Sequence, residues 1–226
     1  GPSGSGKSSV SREVARRLGL RYLDTGAMYR AACWSVLEAG LDLGTSPEAR
    51  EQVAEHVRGL DLAIATDPEA PRVVVRGVEV TAAIREQRIS AAVSAVATNL
   101  GVRADLRRRQ REIIESARGA GGIVAEGRDI TTVVAPDADV RILLTADERA
   151  RLARRAREVH GSDDAASVES MRDVVVRRDA DDATVSPFHT AADGVIEVDS
   201  SELDFEQTVA AVLGVCRATR AQGVRA

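Results

Sequence analysis

Apolar positions recur along this chain with two periods, and the switches between them predict its elements. From Lys7 to Leu18, the residues Val10, Val14, Ala15 and Leu18 share one face of a helix, and Gly19 supplies a stop. Residues 21–24 read as a short strand, and residues 27–39 as a second helix ended by Gly40. The short apolar runs 122–125, 140–144 and 195–198 read as buried strands, because a strand covered on both faces shows no alternation. Helices are predicted over residues 91–117, 147–159, 168–178 and 205–215. Strands alternating with helices imply an α/β fold, a parallel sheet flanked by helices. Residues 45–90 break the alternation. Within them, 60–64 and 72–80 read as strand, then strand, turn, strand, with Asp67-Pro-Glu-Ala-Pro71 and Gly77 as turn signals. This segment is read as a small β-rich insert in one 226-residue domain.

Composition changes the picture in one place. Hydrophobic content of 44% and charged content of 29% are ordinary for a globular protein. No run of about 18 apolar residues predicts a membrane span, and no charged and apolar leader opens the chain. A cytoplasmic protein is expected. Cys33 and Cys216 lack metal-site spacing and are expected as two buried, reduced thiols. Net charge is −4, which implies no general affinity for nucleic acid. The basic run from Arg103 to Arg111 reads mostly as a solvated helix face, and with aromatics at 2% the stacking partners of a nucleic-acid groove are scarce. The informative fact is that Lys7 is the only lysine among 31 basic residues. A chain that uses arginine wherever a positive charge suffices keeps one lysine where a compact ammonium is needed.

That lysine lies in Gly1-Pro2-Ser3-Gly4-Ser5-Gly6-Lys7-Ser8, a complete match to G-x-x-x-x-G-K-[ST]. Glycines let such a loop fold into a nest of inward N–H groups, and the helix behind it presents its positive end to the same anions. The loop, with Ser9 following, is expected to hold ATP, with Lys7 on the β- and γ-phosphates and the Ser8 hydroxyl on Mg²⁺. Such a loop ordinarily follows a buried strand, so a preceding strand, central in the sheet, is expected to be missing here. A GTPase would need an Asn-Lys-x-Asp segment, which a single lysine excludes. A motor or transporter ATPase would place an aspartate after an apolar strand; Ile142-Leu-Leu-Thr145 ends without one, and Gly122-Gly-Ile-Val-Ala-Glu126 offers a glutamate instead. A small-molecule kinase remains.

Two further segments lie at strand ends, the ligand edge of an open α/β sheet. In Asp24-Thr-Gly-Ala-Met-Tyr-Arg30, helix capping accounts for Asp24 and Thr25 but not for Arg30. In Ala125-Glu-Gly-Arg-Asp129, the pair Arg128 and Asp129 reads either as a structural ion pair or as separate contacts to a phosphate and a base.

With these motifs the sequence resembles the bacterial cytidylate kinase family across nearly its whole length: the GPSGSGKS loop, LDTGAMYR, SAVAT through VRADLRRRQR, AEGRDITTVV, an arginine-rich segment and AADGVIEVDSS. The phosphate loop is generic; DTGAMYR, the Ser94 to Arg103 spacing and EGRD together are specific to the family. The resemblance implies a P-loop nucleoside-monophosphate kinase fold, in which 45–90 is the monophosphate-binding insert, 151–189 a helical lid, and 1–44, 91–150 and 190–226 the core. It further implies that Ser94, Arg103 and Asp129 read the cytosine edge, that Arg30 and Arg128 grip the acceptor phosphate, and that Thr25 and Tyr29 line the same pocket. Arg178 and Asp182 are expected to meet the ribose, and Arg154 and Arg155 the transferred phosphate. A carboxylate accepting from the exocyclic amine of cytosine suits Asp129 chemically, and a guanidinium fork suits a phosphate. One departure is visible. The family places another arginine shortly after the Asp182 position, and Ala183-Thr-Val-Ser-Pro-Phe188 holds none. Either Arg172 or Arg177 supplies that charge, or the acceptor is gripped less firmly.

The expected reaction is transfer of the γ-phosphoryl of ATP to CMP, with dCMP a second acceptor, by a monomer without nucleic-acid or membrane partners. The catalytic set is Lys7, Arg128, Arg154, Arg155 and Arg178. A kinase for UMP, AMP or a non-nucleotide acceptor is the first alternative, and a nucleotide-gated nucleic-acid module using Arg103 to Arg111 the second. The histidines His56, His160 and His189 are scattered and receive no role.

Overall fold

Capping residues set most helix boundaries in the computed structural model, which describes the backbone of residues 1–185 and 190–223. Some side chains of those residues, including those of Arg177, Arg178 and Asp182, lie outside the described residues, as does His189. The chain forms two compact units, one of Gly1–Leu18 with Gly127–Ala226 and one of Gly19–Glu126.

In the Gly19–Glu126 unit, strand β1 (Arg21–Asp24) pairs in parallel with β5 (Ile123–Glu126), Asp24 opposite Glu126. Helix α2 (Thr25–Glu38) starts where Asp24 accepts a hydrogen bond from Ala27 N–H at 2.8 Å. The insert is less purely β than predicted. It opens with helix α3 (Pro47–Arg58), for which Ser46 is the cap and Pro47 the first residue, and Ala49, Val53, Ala54 and Val57 form its buried stripe. The start signal Ser-Pro-Glu was present, but the neighbouring strand-like runs concealed it. An antiparallel sheet follows: β2 (Leu62–Ile64), β3 (Val73–Val75) and β4 (Val78–Glu79), the last two joined by Arg76-Gly77. Leu60, Val73, Val75, Val80 and Ile84 of the insert share a buried cluster with Ala27 and Ala31 of α2.

The single helix expected over 91–117 is two, α4 (Gln87–Ala97) and α5 (Leu100–Arg118). Asn99 breaks it. Its backbone is extended, its Oδ1 accepts from Gly101 and Val102 N–H, and its amide donates to Arg50 O at 2.7 Å. A tertiary partner outweighs the propensity of the flanking residues to continue the helix. Nor is the basic run of α5 mainly a solvated face. Arg103 is buried, Asp105 is buried and pairs with Arg108 and Arg109 at 2.7 Å, and Arg109 donates to Val57, Arg58 and Leu60 carbonyls at the C-terminal end of α3. A cation there also complements the helix dipole.

In the other unit, helix α1 (Lys7–Leu18) buries Val10, Val14 and Ala15 and packs against α8 (Phe205–Gly223), to which Arg17 is tied by Glu206 at 2.6 Å. Strand β6 (Ile142–Thr145) pairs in parallel with β7 (Ile196–Asp199). Helix α6 (Glu148–His160), capped by Asp147, and α7 (Ala165–Ala183) form a hairpin around Leu152, Ala156, Met171 and Val175. Both α7 and α8 run further than predicted. Asp164 draws the start of α7 forward by accepting from Ser167 N–H at 2.9 Å, and no proline interrupts α8. No helix among the described residues is long and apolar enough to cross a membrane. Cys33 is buried, and burial pushes its thiol up to about 11. Cys216 is half-buried rather than buried. Two histidines have partners: His56 shares a 2.8 Å hydrogen bond with Ser35, and His160 one of 3.2 Å with Ser170.

Candidate active site

The phosphate loop has a shape only glycine allows. Gly4 and Gly6 sit at φ of 76° and 84°, in the left-handed region that turns successive N–H groups toward one side. Gly4 also lies so near α6 that a Cβ there would come within 2.7 Å of Arg151 O. Pro2 O accepts from Ser5 Oγ at 3.0 Å and from Lys7 Nζ at 2.6 Å, so the ammonium lies across its own loop. Ser8 and Ser9 are exposed at the start of α1, where the helix dipole favours an anion. Beside the loop is a cavity of about 850 Å³ whose lining includes Gly4, Gly6, Ala150, Arg154, Leu203 and Phe205.

Of the predicted arginines of this unit, Arg128 and Arg154 meet distant segments and Arg155 a neighbour on its own helix. Arg154 donates to Ser200 Oγ at 2.9 Å and to Leu203 O at 3.2 Å, so it anchors the turn after β7. Burial, together with the like charge of Arg157, lowers its pKa from the ordinary value. Arg155 pairs with Glu158 at 2.7 Å. Arg128 follows β5 and lies 3.8 Å from Asp179 of α7. Asp129 is buried, and its carbonyl accepts from both Val133 and Val134 N–H in a π-turn over Ile130–Val134. Sequence reasoning passed over Arg151 and Asp179. Asp179 accepts from Ser3 N–H at 2.9 Å and from Arg151, and Arg151 donates to Ser3 O at 3.0 Å. The one available signal was helical spacing, since Arg151 stands one turn before Arg154 and Arg155.

In the other unit, Arg30 and Arg103 each have a partner six residues away. Arg30 Nη2 donates to Asp24 Oδ2 at 2.8 Å, and both side chains are largely buried. A Cβ on Gly26 would lie 3.1 Å from both groups, so glycine leaves room for the pair. Burial pushes the Asp24 carboxyl up, but Arg30, the Ala27 N–H and a hydrogen bond with Glu126 outweigh it and hold the group below its ordinary range. Thr25 Oγ1 donates to Glu126 O at 2.7 Å, tying α2 to the end of β5. Arg103 donates to Ala97 O at 2.9 Å, and its guanidinium stands 5.9 Å over the Tyr29 ring. Ser94 is half-buried one turn before the end of α4. This unit therefore brings Thr25, Tyr29, Arg30 and Arg103 onto the faces around α2. The side chains of Arg178 and Asp182 lie outside the described residues. Arg172, offered as a substitute for the family's further arginine, pairs with Glu148 and Glu169, and Arg177 is also outside the described side chains.

No cluster of three or more metal-ligating side chains occurs among the described residues. The exposed Ser8 hydroxyl at the loop is an oxygen donor of the kind that Mg²⁺ accepts.

A glycine nest feeding a helix, with arginines gathered around it on an α/β frame, defines a phosphate-loop kinase. The chain belongs to the cytidylate kinase family, whose model matches residues 1–218. It is 49% identical over 219 residues to a cytidylate kinase of Cutibacterium acnes (97% of this chain, 94% of that protein). It is 44% identical over 222 residues to one of Streptomyces griseus (97% and 91%), and 48% over 219 residues to one of Rhodococcus opacus (94% and 90%).

Proposed function

We propose that the protein transfers the γ-phosphoryl group of ATP to CMP, and also to dCMP, giving ADP and CDP or dCDP. The observation that carries this reading is the family match over residues 1–218 of a chain whose phosphate loop is intact and folded as a nest. We assign ATP to Gly1 through Ser9, with its nucleoside toward the cavity beside the loop. Ser8 would hold Mg²⁺, which supplies charge neutralisation on the phosphates when bound.

We assign CMP to Thr25, Tyr29, Arg30, Ser94, Arg103, Arg128, Asp129, Arg178 and Asp182. An acceptor phosphate oxygen is already a nucleophile, so the chain need supply no base. Its work is to orient and to stabilise charge. Lys7, Arg128, Arg155 and Arg178 neutralise the phosphoryl group in passage. Arg154, which also donates to Ser200, belongs to the same set. The α6–α7 hairpin acts as the lid that excludes water, which would otherwise consume ATP without an acceptor. The protein works as a cytoplasmic monomer.

An acceptor panel of CMP, dCMP, UMP and AMP with coupled detection of ADP tests the reading. CMP is expected to exceed UMP by about 100-fold, because uracil presents a carbonyl where the Asp129 carboxylate needs a donor. Equal use of UMP would overturn the role of Asp129.

A further inference from the structure

A buried carboxylate in α7 is the least expected group in the phosphate-loop unit. Met171, Val175 and Asp179 recur every four residues and are all buried, the first two against Leu152 and Ala156 of α6. The third position of an apolar stripe thus holds a charge. A leucine there would pack at no desolvation cost, whereas a buried carboxylate needs several donors to be tolerated. Asp179 has two, Ser3 N–H of the loop at 2.9 Å and the Arg151 guanidinium, and a third segment brings Arg128 Nη2 within ion-pair range at 3.8 Å. Arg151 closes the ring by donating to Ser3 O at 3.0 Å. One negative charge between two guanidinium groups leaves a positive excess beside the loop.

We propose that Asp179 is a positioning residue for phosphoryl transfer, fixing Arg128, Arg151 and the Ser3 end of the phosphate loop in one arrangement. This rests on the role proposed for Arg128. Asp179 touches no reacting atom; it spends the orientational entropy of two long side chains before substrates arrive.

The test compares Asp179→Asn, Asp179→Ala, Arg128→Ala and the Asp179→Asn/Arg128→Ala double variant in the full chain. Asparagine keeps the shape and an acceptor for Ser3 N–H but not the charge, so it carries the test if the alanine variant does not fold. The kcat of Asp179→Asn is expected to fall roughly 10- to 100-fold, the scale seen when outer partners of a site are removed. KM for ATP and CMP should stay within about threefold, because the lost contact orients the guanidiniums and does not itself hold a substrate. The double variant should lose clearly less than the two single losses combined, because Asp179 acts in part through Arg128. Additive losses, or an unchanged kcat, would overturn the proposal. So would a lower KM for ATP at unchanged kcat, which would make the carboxylate a competitor of phosphate. A wild-type chain inactive with CMP would instead refute the functional reading, an outcome the acceptor panel registers separately.

Discussion

Arg30 and Arg103 near α2, and Arg151 and Arg154 near the phosphate loop, are held by different means. Around α2, Arg30 is paired with Asp24 six residues before it, and Arg103 with the Ala97 carbonyl six residues before it. Around the phosphate loop, Arg151 is bonded to Ser3 and Asp179, and Arg154 to Ser200 and Leu203, partners up to 148 residues away. A local pair forms whenever its helix and strand form. A long-range ring exists only when the whole unit is assembled, so its members should fail together, whereas the local pairs should fail one at a time.

The largest expected effect lies in the ring. Arg128→Ala should lower kcat on the order of 10³-fold, about 4 kcal/mol of transition-state stabilisation, while ATP affinity measured by calorimetry stays near normal. Full turnover in that variant would remove Arg128 from the reaction.

Next is Asp24→Ala, which strips a cap from α2 and leaves Arg30 buried without its carboxylate. Breaking a buried pair from one side costs about 3 kcal/mol or more in urea unfolding. If the pair is local in its effect, KM for CMP should rise and KM for ATP should not. The Asp24 pKa is lower in the folded chain, so its stabilisation is present above the ordinary aspartate pKa and is lost as pH falls through the lowered value. The variant should lack that acid-dependent component; an acid limb identical to wild type would place the linkage elsewhere.

Asn99→Ala tests a tertiary decision made by a single residue. Loss of the cap should cost about 1 kcal/mol and lower Tm by a few degrees, with activity retained at low temperature. A gain in stability would mean that the flanking segments prefer one continuous helix.

Smallest is Glu13→Gln. Glu13 is held at about 2 by hydrogen bonds from Arg16 and Arg17, so its contribution is present above the ordinary glutamate value and is lost as pH falls toward about 2. Glu13 and its two arginines lie at the surface, and their effect on Tm should vanish in 1 M salt.

Much of the fold and part of the site could be read from the chain alone, and the boundary follows the range of the interactions. The phosphate loop is legible because eight contiguous residues carry its whole conformation. α1 is legible because its apolar face and its glycine stop are both local. Asp24 is legible as a cap but not as the partner of Arg30, since the pairing needs the close approach that Gly26 permits. The break at Asn99 was hidden because its deciding contact, Arg50 O, comes from another helix. Arg151 and Asp179 were hidden for a stronger reason: each looks like one more charged residue on a charged helix until the hairpin sets it against Ser3.

The linear sequence thus determined the chemistry on offer: a nest for phosphates, one lysine to reach them, and arginines enough to neutralise a moving charge. Only the tertiary structure decided which arginines are fixed and by what. Backbone nests and caps are satisfied within a few residues, whereas a buried guanidinium takes whatever acceptor the packed chain brings within about 3 Å of it.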